Sequence, residues 1–128
     1  MSHITKIALA IKNLNEALTK ETIGTIAKAH SLTLSASIQD YYGKRITVLA
    51  GLAGAGVRGF GIVKNSDGSF SVIGDDYHQD YTMRQFTGEF QRNYLALAYQ
   101  KAARALGYQV SMTQTKTGQI AIRADTPF

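Results

Sequence analysis

The stretch from Thr82 to Gly107 constrains this chain more than any other. Thr82 and Gln85 have capping-box spacing, in which a hydroxyl and an amide three residues apart satisfy each other's orphan backbone N–H groups. Met83, Phe86, Phe90, Tyr94, Leu97, Ala98 and Ala105 then recur at helical spacing. Gly107 stands at the C′ position, where a left-handed residue closes a helix. A helix with one apolar side must lay that side on something. The flanking segments supply it, because they alternate apolar and polar residues with the period of half-buried strands.

Before the helix, Phe60 to Lys64 and Ser69 to Ile73 flank Asn65-Ser66-Asp67-Gly68, a strong hairpin signal. Ile46 to Leu49 reads as a further short strand, reached from a turn at Tyr41-Tyr42-Gly43-Lys44. Leu32, Leu34, Ala36 and Ile38 alternate with polar residues and predict a strand with those four side chains inward. Asn13 and Glu16 predict the cap of a first helix that runs to about His30. Gly24 and the polar run Lys20 to Thr22 predict a kink in it or a division into two. Ser2 to Ile11 opens the chain as a strand. After Gly107, Tyr108, Val110 and Met112 form one strand and Ile120 and Ile122 another, with a turn over Thr115 to Gly118. The order is β-α-β-β-β-β-α-β-β. It predicts a single α+β domain over residues 1–128, a largely antiparallel sheet with two helices on one face.

Charge narrows the partners. Fourteen Lys and Arg against nine Asp and Glu give a formal charge of +5, which favours anionic ligands, nucleic acid or acidic surfaces. The absence of cysteine removes disulfides, thiolate metal sites and cysteine nucleophiles. No apolar run reaches the roughly 20 residues of a membrane span, and the N-terminus lacks the features of a signal peptide. The reading is therefore a soluble, cytoplasmic protein without a membrane partner.

Five of the twelve glycines fall between Gly51 and Gly61. Gly54-Ala55-Gly56-Val57-Arg58-Gly59 matches the G-x-G-x-x-G string of dinucleotide-binding units. That string must open a helix, and here a strand and a hairpin turn follow. A tightly bent crossing loop is the favoured reading. A third reading is an anion-binding nest of bare amides beside Arg58.

Tyr41, Tyr42, Lys44 and Arg45 combine rings that stack on bases with cations that meet phosphates, and they serve equally as packing caps of a turn. Asp75, Asp76, His78 and Asp80 precede the second helix, where its dipole favours acids; calcium-loop spacing is absent, and no metal or cofactor is expected. His3, His30 and His78 would serve phosphodiester chemistry only if two converge. Lys101 falls on the apolar side of its helix; snorkelling to the edge is favoured over pointing into a polar pocket.

The opening Met1-Ser2-His3-Ile4-Thr5 with Ile11-Lys12-Asn13-Leu14 resembles the hypothetical chloroplast open reading frame thirty-five family, small domains of cyanobacteria, plastids and bacteriophages. The residues 65–69 hairpin, Asp75-Asp76, Gln91-Arg92 with Tyr94, Leu106-Gly107-Tyr108-Gln109-Val110, and Gly118 with Ile120 are similar too. Gly51 to Gly61 departs from the family pattern. The resemblance makes a phage origin an expectation and assigns no enzymatic role to particular residues.

Together these readings point to a non-enzymatic binding protein for a small anionic, nucleotide-like ligand. In a phage it would sequester a host signalling nucleotide in the host cytoplasm. The expected contacts are Tyr41, Tyr42, Lys44, Arg45, Gly54, Gly56, Arg58, Gly59, Lys101 and His3. A chain this short has little room for an enclosed pocket, so a homo-oligomer with the site between subunits is expected. The alternatives are a nucleic-acid-binding or ribonucleoprotein accessory module and a small histidine-dependent phosphodiesterase.

Overall fold

A computed structural model of the chain describes residues 4–54, 57–75, 81–114 and 119–125. Its elements run β1 (Thr5–Ala8), α1 (Glu16–Ala29), β2 (Thr33–Gln39), β3 (Arg45–Gly54), β4 (Val57–Lys64), β5 (Phe70–Gly74), α2 (Met83–Ala105), β6 (Gln109–Gln114) and β7 (Ile120–Asp125). The first five strands form one sheet in the order β1-β5-β4-β3-β2, antiparallel throughout. The last two pair as a separate ribbon beside α2. This is the expected α+β order.

α2 forms as its sequence dictates. Thr82 and Gln85 make a complete capping box. At the other end Gly107 takes φ +90°, and the N–H groups of Gly107 and Tyr108 reach back to the carbonyls of Arg104 and Ala103. That pairing is a Schellman closure. Met83, Phe86, Phe90 and Tyr94 point into the core, whereas Ala105 is exposed and Ala103 is buried in its place.

α1 departs from expectation in two ways. Its cap is Asn15, whose Oδ1 accepts the Leu18 N–H at 2.9 Å, and not Asn13. It also runs unbroken through Gly24. The polar run does not interrupt it, because Thr19 and Thr22 are buried with their hydroxyls donating to the carbonyls of Asn15 and Leu18 at 2.8 and 2.7 Å. The two helices share one core face. Ile23, Ile26, Phe86 and Phe90 pack there against Leu52, Phe60, Ile62 and Val72. Each such side chain contributes about 1.5–3 kcal/mol by leaving water. Tyr94 joins the helices directly, its hydroxyl oxygen accepting the Asn15 N–H at 3.0 Å.

The β2–β3 hairpin is less regular. Leu32 packs on the helix-side core, yet Leu34 is half exposed and Ile38 is buried in a second cluster with Val48 and Ile73. A single alternation would put all three on one side. The pairing register shifts between Ser35 and Ser37, and that irregularity turns the later residues over. Ser35 Oγ holds the bend, donating to the Ser37 carbonyl at 2.7 Å and accepting its N–H at 3.2 Å. Beyond it the outer half of the hairpin curls over the sheet face opposite the helices.

Glycines make that curl possible. A Cβ on Gly61 would lie 2.7 Å from Val48 Cγ1, and one on Gly59 would lie 3.1 Å from Ile38 Cγ2. Gly59 also takes φ +103°, a conformation that disfavours side chains. The segment from Gly51 to Gly61 is therefore not a bent crossing loop. β3 continues to Gly54 and β4 resumes at Val57, so both strands extend well beyond the expected Ile46–Leu49 and Phe60–Lys64. The dinucleotide-binding reading falls with it, because a strand follows and not a helix. Among the described residues no helix is long and apolar enough to cross a membrane.

Candidate functional site

The curl carries the β2–β3 turn towards the end of β5. Asp40 builds the turn. Its Oδ1 accepts the N–H groups of Tyr42 and Lys44, each at 2.9 Å, and its own N–H donates to the Lys44 carbonyl at 3.0 Å. Gly43 supplies the positive φ, +84°, that closes the loop. With Asp40 turned in and buried, the two tyrosines between it and Gly43 are pushed out. Tyr41 is 42% exposed and Tyr42 64%, their rings edge to face with centroids 5.4 Å apart. Lys44 and Arg45 stand exposed beside them.

A second carboxylate anchors this turn from below. Asp75 follows β5 and is completely buried. Its Oδ2 accepts the Tyr41 N–H at 2.9 Å. Arg58, near the start of β4, places Nη2 3.7 Å from Asp75 Oδ1 and 3.4 Å from the Asp75 carbonyl oxygen. The Arg58 guanidinium also lies over the Tyr41 ring, 5.2 Å from its centroid. Three residues distant in sequence, Tyr41, Arg58 and Asp75, thus meet at one point. Both carboxylates face inward, while the groups at the rim are rings and cations.

Five of the expected site residues, Tyr41, Tyr42, Lys44, Arg45 and Arg58, are gathered here. Gly54 ends β3 with φ +129°, and Gly59 serves the approach of Ile38. Lys101 lies in the helix layer, exposed, with Nζ 3.2 Å from Glu21 Oε2 on α1. It lies at the edge, and its ion partner is the neighbouring helix. His3, Gly56, Asp76, His78 and Asp80 lie outside the described residues. Asp40 and Asp75 build the turn without being among the expected contacts. Asp40 had a signal, since an Asp opening a turn that ends in Gly is an Asx arrangement.

His30 is engaged elsewhere. It caps α1, and its Nε2 lies 3.0 and 3.1 Å from the two oxygens of Glu89 on α2. Its ring lies against Tyr81, with centroids 4.2 Å apart. Burial first, and the neighbouring Glu89 charge second, push the Tyr81 phenol well above its ordinary range. Among the described residues no group of three His, Cys, Asp or Glu side chains is placed to hold a metal ion.

Comparison with family models, curated proteins and solved structures finds no match to this chain. The turn offers ring faces for stacking and cations for phosphate or carboxylate.

Proposed function

We propose that the protein binds a small anionic, nucleotide-like ligand at the β2–β3 turn without transforming it. The observation that carries this reading is the exposed Tyr41–Tyr42 pair beside Lys44 and Arg45, with the carboxylates of Asp40 and Asp75 both turned inward. A base stacking on the exposed Tyr42 ring contributes about 1–3 kcal/mol. Lys44 and Arg45 meet the phosphates as charge-assisted partners. Tyr42, Lys44 and Arg45 are exposed on the turn, and a second copy of the chain supplies the other wall, giving a homo-oligomer with the site at the subunit contact. In a phage such a protein would withhold a host signalling nucleotide.

The chain has no tryptophan, so its intrinsic fluorescence comes from tyrosine. Titration with ADP should quench that emission, and Tyr42→Ala should weaken binding about tenfold or more. The absence of any response to ADP and to other nucleotides refutes the reading. A second reading, single-stranded nucleic acid, is favoured by the high exposure of the Tyr42 ring at a hairpin tip. It requires an oligonucleotide to bind more tightly than ADP, with affinity falling steeply between low and physiological salt.

A further inference from the structure

We infer that Asp75 sets the charge selectivity of this site by acting as a built-in anion for Arg58. The inference rests on the proposed function for the location of the site, and its test separates the two. Arg58 is the most enclosed cation of the cluster, with a side chain 18% exposed. A partly buried guanidinium beside an aromatic ring is the strongest anchor such a surface has for a compact anion. Asp75 already stands there. Its carboxylate is completely buried 3.7 Å from Nη2, and its carbonyl oxygen takes part of the same guanidinium.

An anion arriving at Arg58 would have to draw it away from a carboxylate that water does not reach. A buried charge stripped of its partner is strongly destabilising. Compact inorganic anions, which have only charge to offer, are therefore turned away. A ligand with a base is not, because it stacks on Tyr42 and meets Lys44 and Arg45 at the rim. Selectivity for a nucleotide over free phosphate then comes from a residue that does not touch the ligand.

The same carboxylate has a second duty, holding the Tyr41 N–H at 2.9 Å. Asparagine is close to isosteric and keeps an acceptor for that N–H, so Asp75→Asn removes the charge and spares the anchor. The experiment titrates pyrophosphate and ADP, separately, into the wild-type protein, Asp75→Asn, and the double variant Asp75→Asn/Arg58→Gln, by calorimetry in low salt. The expected result is weak pyrophosphate binding by the wild type and a gain of about tenfold or more in Asp75→Asn. That gain should vanish in the double variant. Unchanged or weaker pyrophosphate binding by folded Asp75→Asn overturns the inference. A gain for pyrophosphate with no advantage for ADP upholds the inference and refutes the nucleotide reading.

A second measurement uses the wild type alone and covers the case in which Asp75→Asn does not fold. Arginine side-chain resonances are followed by NMR during pyrophosphate addition. Arg45 should shift first and Arg58 should stay in place. An Arg58 signal that moves in step with Arg45 overturns the inference.

Discussion

Gly61→Ala isolates the device that lets the hairpin curl. The backbone of Gly61 lies outside the left-handed region, so alanine meets no conformational penalty there. Space alone is at issue. The new Cβ would fall 2.7 Å from Val48 Cγ1 and 2.8 Å from both Val48 Cβ and Cγ2, where relaxed carbon contacts lie at about 3.5–4.0 Å. Val48 cannot step aside easily. It is β-branched, buried, and packed with Ile38 and Ile73. Overpacking of this kind costs about 1–3 kcal/mol. The reduced freedom of the unfolded chain returns about 0.4–1 kcal/mol. The net expectation is a loss of about 1–2 kcal/mol. Urea denaturation followed by circular dichroism reads it as a lower midpoint at unchanged slope. Val48→Gly supplies the decisive control, because it removes Cβ together with both Cγ atoms; in that background Gly61→Ala should become neutral or mildly stabilising, a coupling of about 1 kcal/mol or more. Gly24→Ala in α1, where a Cβ meets nothing within 4 Å, should stabilise by about 0.5–1 kcal/mol. A Gly61→Ala protein as stable as the wild type, or a cost that persists without Val48, would refute the steric argument.

Other outcomes follow from single contacts. Tyr94→Phe deletes the acceptor of the Asn15 N–H and should cost about 0.5–1.5 kcal/mol in the same denaturation assay. Tyr81 has its phenol pKa raised above the ordinary value of 10.0, so the folded state holds that proton more firmly than the unfolded chain. Its contribution to stability is complete below pH 10 and is lost as pH rises beyond it; Tyr81→Phe should flatten that alkaline fall in the melting temperature. Asp67 is the converse, with its pKa lowered from 3.8 by the Ser69 hydroxyl and N–H. Its contribution is present above the ordinary carboxylate range and disappears as pH falls through the lowered value, so Asp67→Asn should remove a small part of the acid loss of stability.

The elements that were legible in the sequence are those whose signals are local. Thr82 with Gln85 and Gly107 mark both ends of α2, and residues 65–68 close the β4–β5 hairpin as their composition implies, the Asn65 N–H reaching the Ser69 carbonyl at 2.7 Å. What misled was set by distant contacts. The polar run Lys20 to Thr22 looks like a break in the helix until packing against the core buries Thr19 and Thr22, whose hydroxyls the helix's own carbonyls satisfy. Gly59 and Gly61 look like a loop because glycine marks a loop and a close approach alike, and only the position of Ile38 and Val48 decides between them. At the site, Tyr41, Tyr42, Lys44 and Arg45 are interrupted only by Gly43 and were legible as a group. Their junction with Arg58 and Asp75 depends on a register shift at Ser35, which no alternation pattern announces.

The strand order has a consequence for how the chain assembles as it is made. β1 leaves the ribosome before the other four strands of its sheet, yet its partner is β5, with Thr5 opposite Gly74. The four strands between and including β2 and β5 join neighbour to neighbour through short connections, which close fast and at little entropic cost. β1 has no such neighbour. It must wait, tethered through α1, until the last strand of the meander has formed, and until then the outer edge of β5 is an open template for a neighbouring chain. The earliest strand of the sheet is thus the one that seals it last.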